Sequence, residues 1–489
     1  MYPWNFEQEG AKQGEAAWRW LAEWVAMPAL LATPARPLAE MGSPASHLSE
    51  AVREKLSTLL GLSNLKQDLA ERTRHAGTSA ADRLRLRVGD LSRLPDAVAY
   101  PRNAEEVLAL LKLCAEVNVA VTPFGTGSGS QALPERGTHV AMVTCDLSAM
   151  SRLVSVDMLS GLARAEAGIT TGELARQLAA QGASLKGVMT GTLGGHIACN
   201  RQIPWLYGAR LVAPEGMMAS GLWLAPGSQG TLGIITSASF QIGALQPATE
   251  YRRYLFTDFA SGLTALRDAR RHDLFQGKTY LWDAGETHFH HQMDQMGRSP
   301  TLSQRIGDIH RRLKHFDQRA AALTIGFGGP RSEGLRKRFN ALAKRLGALS
   351  LGSCTPDKVE YRDQLMDRGL GVETIETTAN WAKLPRVYAA MRASLDRAMR
   401  ARVPRQDAHG LVLGEVSDAS HDGAKLRLAM IFPRMLGNDV AQAKDLREEA
   451  LKALAELSGP EEPLEEKLKR GIKQTLDPKA ILNPGVGPR

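Results

Sequence analysis

The strongest constraint in this sequence is a strand-helix-strand pattern whose second strand runs straight into a loop almost bare of side chains. "DAVAYP" reads as a short strand and "NAEEVLALLKLCAEVN" as an amphipathic helix capped by its leading asparagine. "VAVTPFG" and "THVAMVTCDL" read as the second and third strands. In the loop between them, "GTGSGSQ" packs three glycines and three small hydroxyl residues into seven positions. Glycine lets the backbone turn through positive φ and lets several N–H groups converge without side chains intervening, which suits a pyrophosphate. Thr126, Ser128 and Ser130 add hydroxyl donors. A dinucleotide-binding Rossmann loop would follow the first strand and open a helix at once. Here the loop follows the second strand and leads through a proline toward a third, which disfavours that site, and no GK[ST] marks a Walker loop. Taken alone, such a loop serves a structural turn as readily as a binding site.

Two further loops of the same chemistry change that balance: "MTGTLGGHIA", Met189 to Ala198, and "GSQGTLGIIT", Gly227 to Thr236. Three Gly/Thr/Ser loops in this order and at these separations resemble the FAD-binding domain of the vanillyl-alcohol oxidase, or PCMH, type of flavoprotein. Within that family the likeness runs to the alkylglycerone-phosphate synthases. It is carried by "HAGTSAADRLRLRVGDLSRLPDAVAYPRNAEEV", "EAGITTGELARQL", "ETTANW" (Glu376 to Trp381) and the closing "LDPKAILNPG". The resemblance implies an α+β fold: a two-subdomain PCMH-type FAD-binding domain, then an α/β substrate (cap) domain and a C-terminal helical segment.

The corresponding boundaries are a helix and Pro/Ala-rich linker over 1–45, the FAD domain over 46–245, the cap domain over 246–430, and a tail over 431–489 that returns to the FAD domain. The first loop, Pro123, Gly125, Thr126, Gly127, Ser128, Gly129 and Ser130, is expected on the pyrophosphate. The other two loops, Thr190, Thr192, Leu193, Gly194 and Gly195, then Gly230, Thr231, Gly233 and Ile234, are expected on the ribose and isoalloxazine ends. No His or Cys lies in the first loop, so FAD is expected to be bound non-covalently.

The chain departs from the synthases where they keep polar motifs. "GEVSDASHDGA" sets Glu415 at the family's His or Arg, Asp418 at its second polar position and Ser420 at its tyrosine, and Arg427 replaces a following aromatic. The synthases' histidine-rich loop has no counterpart in "LKALAELSGPEEPLEEKLKRGIKQTLDP", "LKGVMTG" stands at their E-P-D-S, Tyr280 stands at an expected arginine, and "RQIPW" shortens another loop. Proton transfer and charge stabilisation each supply large rate factors. These replacements therefore imply a substrate other than acyl-dihydroxyacetone phosphate, or a scaffold that has become a silent binding subunit.

Glu415, His421 and Glu376 are the candidate catalytic residues. If strand alternation continues from 415, Glu415 and His421 share a face and form an acid/base pair; a solvated loop is the plainer alternative. His288, His290 and His291 in "GETHFHHQMD" offer another cluster, with His288 and His290 on one face if the segment is a strand. No carboxylate or cysteine stands at zinc spacing, so surface histidines are the simpler reading and no metal is expected. His196 lies where it meets the flavin or caps a helix.

Composition narrows the partners. The net charge of +9 is interleaved with acids, as in "LREEALKALAEL", which favours a solvated surface over a nucleic-acid face, and no nucleic-acid partner is expected. Cys114, Cys145, Cys199 and Cys354 are widely spaced, as in a reducing compartment. "WLAEWVAMPALLA" is broken by Glu23 and Pro28 and is too short to span a bilayer. A cytoplasmic homodimer is the expectation, with a small, lipid-like or anionic substrate and a membrane surface left open as a peripheral partner. Trp4, Trp18, Trp20 and Trp24 are expected to pack against the main body.

Overall fold

The computed structural model describes residues 13–129, 133–187, 189–200, 203–218, 224–245, 249–295, 319–356, 360–458 and 463–486. Ser130 and Trp4 lie outside them. The chain divides into two units: the described residues of Arg36–Leu245 and Glu461–Arg489, and those of Glu7–Ala35 and Gln246–Pro460.

The first unit contains two sheets among its described residues. Strands β1 (Leu65–Lys66), β2 (Ala97–Ala99), β3 (Val119–Phe124) and β4 (Ala141–Asp146) lie in the order β1-β2-β4-β3. The β2-β4 and β3-β4 pairings are parallel. Val119, Val121, Ala141, Val143 and Cys145 are buried on one face and Ala120, Met142 and Thr144 on the other, as in a sheet covered on both faces. The helix Ala104–Glu116 crosses between β2 and β3, with Asn103 accepting from the Glu106 N–H as its cap. Before it, Ser49 caps Glu50–Leu60, and Gly61, at φ +88°, stops that helix.

The second sheet is antiparallel and comprises β5 (Leu153–Asp157), β6 (Leu162–Glu166), β7 (Ala183–Leu185), β8 (Leu206–Ala213), β9 (Gly216–Met218) and β10 (Ile234–Ala244). Its long β10 pairs with β6, β7 and β8. A single apolar core, from Leu56 through Val121 and Phe240 to Leu482, runs beneath both sheets.

The second unit is built on a seven-stranded sheet in the order β14-β11-β13-β12-β16-β17-β15, its neighbouring strands antiparallel. These strands are β11 (Glu250–Phe256), β12 (Tyr280–Trp282), β13 (Ala321–Phe327), β14 (Leu349–Ser353), β15 (Leu370–Asn380), β16 (Leu411–Ser417) and β17 (Gly423–Pro433). Residues directly opposite on antiparallel strands share a face. Two successive rows of this kind, Trp282-Glu415-Arg427-Glu376 and Tyr280-Ser417-Lys425-Thr378, give one face a polar centre. The alternate residues Leu281, Val416 and Leu426 are buried on the opposite face. There the helix Phe259–Arg271 comes so close that a Cβ on Gly262 would lie 2.6 Å from Leu281 Cδ1.

Two local expectations are corrected. "GETHFHHQMD" lies in the helix Ala284–Gln295, not in a strand, so His288 and His290 do not share a face as alternate residues would. The pattern misleads because histidine and glutamate mark neither period. The strand carrying Glu415 ends at Ser417, and Asp418 turns through φ +48°, so alternation does not reach His421. The tryptophans Trp18, Trp20 and Trp24 belong to the helix Glu15–Trp24. Trp18 is buried, while Trp20 and Trp24 meet the His288 ring edge-on at centroid distances of 5.4 and 5.1 Å.

Candidate functional site

In the first unit the three glycine loops, far apart in sequence, meet. Pro123 and Phe124 end β3, and the chain leaves it at Gly125. A Cβ added at Gly125 would fall 2.5 Å from the Thr192 hydroxyl, so only glycine allows the first and second loops this approach. Gly191, at φ +67°, faces the hydroxyls of Thr126 and Ser128, which lie 2.9 Å from one another. The third loop arrives at Gly230, also at positive φ, where a Cβ would stand 2.4 Å from Pro123 Cγ and 3.0 Å from Asn483 Nδ2. The second loop runs into the helix Leu193–Cys199, capped by Thr192, whose hydroxyl accepts from the Gly195 N–H. Gly194 of that helix packs on Ala167, and Gly233 packs on Leu211 ahead of β10, which Ile234 begins.

His196 is buried and stacked on Trp205, at 5.6 Å between centroids, and its Nδ1 accepts from the Thr190 N–H. It therefore braces the second loop. The end of β3 is braced from the other side by His75, whose Nε2 lies 2.8 Å from Asp146 Oδ2 and whose ring packs on Phe124 at 4.4 Å.

The feature that sequence reasoning missed is how "LDPKAILNPG" takes part. Val121 N–H donates to Ile481 O at 2.8 Å and Asn483 N–H to Val121 O at 3.1 Å, so this segment runs parallel along β3. Asn483 Nδ2 then donates to Gln229 O, and Lys473 Nζ donates to Thr231 O, Leu482 O and Asp477. Asp477 receives the N–H groups of Ile481 and Leu482. The C-terminal segment thus ties the first loop to the third. The signal available in the sequence was a buried-type Asp-Pro followed by an apolar pair, which identifies a packed segment but not its neighbours.

The chemistry of these loops fits a dinucleotide phosphate. Thr126, Ser128, Thr190 and Thr192 bring neutral hydroxyl groups, the glycines keep the first loop free of side chains, and no carboxylate stands among the loop residues named. Ser228 Oγ and Asn483 Oδ1 are buried there with no hydrogen-bond partner among the described residues.

In the second unit the candidate catalytic residues fall at three separate places. Glu415 is 2% exposed and accepts from Trp282 Nε1 at 3.1 Å. Glu376 is exposed at the margin of the same row, 3.0 Å from Lys425 Nζ. His421 is exposed in the turn after β16, 3.4 Å from Asp273. Trp381, also in the family-like segment, is buried and donates through Nε1 to Ser420 O and His421 O, which fixes that turn.

Around Glu415 lies a set of charges that the sequence did not bring together. Arg427 Nη2 donates to Glu286 Oε1 at 2.9 Å, and His290 Nε2 lies 3.4 Å from the same oxygen while its ring stacks on Trp282 at 4.4 Å. Burial pushes the Glu286 carboxyl up, but Arg427 and His290 outweigh it and hold the group at about 2. Nearby, burial pushes the Asp283 carboxyl up against the pull of Arg392. Asp283 also accepts from Tyr388 Oη and Arg392 Nη1 at 2.8 and 2.7 Å. No described helix is long and apolar enough to cross a membrane.

Residues 95–202 match the model of an FAD binding domain family. With the two-sheet first unit and the seven-stranded second unit, this gives the chain a PCMH-type FAD-binding fold. It is similar to alkyldihydroxyacetonephosphate synthase from Dictyostelium discoideum, 30% identical over 71% of this chain and 63% of that protein. It is also similar to the synthase from Trypanosoma brucei brucei, 27% identical over 48% of this chain and 43% of that one. The chain thus spans less than two thirds of the length of these relatives. A solved alkyldihydroxyacetonephosphate synthase superposes with a TM-score of 0.78 at 24% identity, covering 96% of this chain and 92% of that one. p-Cresol methylhydroxylase shares the fold at a TM-score of 0.63 and 16% identity, covering 90% and 97% of the two chains.

Proposed function

We propose that this chain is an FAD-dependent oxidoreductase related to the alkylglycerone-phosphate synthases. In this reading it holds FAD non-covalently and acts on a small, lipid-like or anionic molecule other than acyl-dihydroxyacetone phosphate. The observation that carries the reading is the convergence of Gly125, Thr192 and Gly230 at contact distances that a single added Cβ would break. FAD supplies the two-electron acceptance, and the protein's part is to bind, orient and move protons. Thr126 and Ser128 offer hydroxyl donors to a phosphate. Glu415 is the group assigned to proton transfer, because it is a buried carboxylate steadied by Trp282 in the polar row. Glu376 and His421 are the further candidates. The accompanying expectation is a cytoplasmic homodimer.

The test is the visible absorption spectrum of the purified protein before and after incubation with FAD and desalting. A retained flavin band supports the reading, and a folded protein that takes up no flavin sinks it. A second reading, a silent binding subunit on the same scaffold, is favoured by one observation: Arg427 is already paired with Glu286 inside the second unit. Substrate-dependent bleaching of bound flavin that disappears in Glu415→Gln would reject it.

A further inference from the structure

The polar face of the seven-stranded sheet carries an arginine with no carboxylate partner among the described residues. Arg253 of β11 stands opposite Thr324 of β13, which stands opposite Tyr280 of β12. It therefore extends the row Tyr280-Ser417-Lys425-Thr378 and shares the face of Glu415. Its Nε donates to Thr324 Oγ1 at 3.1 Å, and its Cζ lies over the Trp282 ring, 5.0 Å from the centroid. The bond at Nε and the ring beneath fix the plane of the guanidinium and leave its two terminal nitrogens for other partners. Burial pushes the Tyr280 phenol up, and Thr324 and Arg253 oppose it, which puts the phenol beside the same guanidinium.

Arg252, Arg392, Arg427 and Arg434 of the same unit each meet a carboxylate at 2.6–2.9 Å. Arg253 meets none among the described residues. It is half-buried, so a solute reaches it. Its register partner on the other side, Gly352 of β14, is open: a Cβ there would meet no described atom within 4 Å. A guanidinium held flat on an indole without a counter-charge suits a carboxylate or phosphate, which takes two parallel N–H donors. Trp282 links that place to the group assigned to proton transfer, because the indole under Arg253 also donates through Nε1 to Glu415.

We propose that Arg253 is the specificity-determining residue of the second unit, its guanidinium binding the carboxylate or phosphate of an anionic substrate. This deepens the reading of the chain as an enzyme acting on an anionic molecule, and rests on it.

The experiment titrates hexyl phosphate, hexanoate and hexan-1-ol into the purified full chain by calorimetry, for the wild type, Arg253→Met and Arg252→Met. Arg252 is the comparison because it lies next in β11 on the opposite face, paired with Glu250, so its loss removes the same charge from the same strand. The wild type should bind at least one anion more tightly than the alcohol, and the tighter anion tells phosphate from carboxylate. Arg253→Met should weaken that anion by about tenfold or more, as the loss of a charged hydrogen bond does, and leave the alcohol unchanged. Arg252→Met should stay within about twofold of the wild type. A wild type that binds neither anion better than the alcohol, wild-type anion affinity in Arg253→Met, or equal weakening in the two variants overturns the proposal. These titrations need no FAD, so a protein that binds the anion through Arg253 but takes up no flavin sinks the flavin reading alone. Should Arg253→Met not fold, phenylglyoxal modification of the wild type, mapped by mass spectrometry, decides. Hexyl phosphate or hexanoate must protect Arg253, and equal modification with and without them is the refuting result.

Discussion

Replacing Arg427 by methionine tests whether the polar row of the second unit is a coupled electrostatic unit. Glu286 is 2% exposed and meets Arg427 at 2.9 Å, and Glu415, also 2% exposed, is the register partner of Arg427. Removing the cation leaves Glu286 with His290 as its remaining partner and takes from Glu415 the cation across the register. The gap between about 2 and the ordinary 4.5 at Glu286 corresponds to about 3 kcal/mol. Loss of one partner from a buried ion pair costs about 3–5 kcal/mol, so the two figures agree. The assay is urea unfolding followed by tryptophan emission, since Trp282 lies against both Glu415 and His290.

Adding Glu286→Gln to Arg427→Met should recover much of the loss, because it removes the stranded charge and not only the bond. The pH dependence carries a sign. Glu286 has a depressed folded-state pKa, so its contribution is present above about 4.5 and is lost as pH falls toward about 2. In Arg427→Met that part of the acid sensitivity should shrink to what His290 alone supports. An Arg427→Met protein as stable as the wild type, or strict additivity in the double variant, would refute the reasoning.

Gly230→Val should abolish retention of the flavin band, because its Cβ would meet Pro123 at 2.4 Å in a backbone at φ +68°; desalting after FAD loading reads it directly. Glu415→Gln should keep the bound flavin and slow its substrate-dependent bleaching by about a hundredfold or more, measured by stopped-flow absorbance. Asp477→Asn should weaken the capping of Ile481 and Leu482 and speed amide exchange across 477–486, with unchanged exchange speaking against the C-terminal tie.

Legibility followed the range of the interactions. The strands β2 to β4, the crossover helix and its cap at Asn103 were readable because each is set by residues a few positions apart. The three glycine loops were readable as a set because glycine and hydroxyl composition is itself the requirement. The histidine segment was not, since "ETHFHHQ" has no clear apolar period and its helical state is fixed by tertiary packing of His290 on Trp282. The pairing of Arg427 with Glu286 spans 141 positions and depends on where a helix crosses a sheet, which no local pattern encodes. The expected partnership of Glu415 with His421 failed at one residue, Asp418, whose left-handed turn ends the strand's alternation.

The tie between β3 and the segment Ile481–Asn483 also has a consequence for synthesis. Residues 36–245 emerge from the ribosome carrying all three glycine loops, but the strand that joins the first loop to the third follows only after the whole second unit. A nascent chain stopped anywhere before Lys473 therefore exposes the loops with their backbone partners missing. The order of translation closes the cradle only after residues 246–460 have been made, so that loading it reports that the intervening residues are already present.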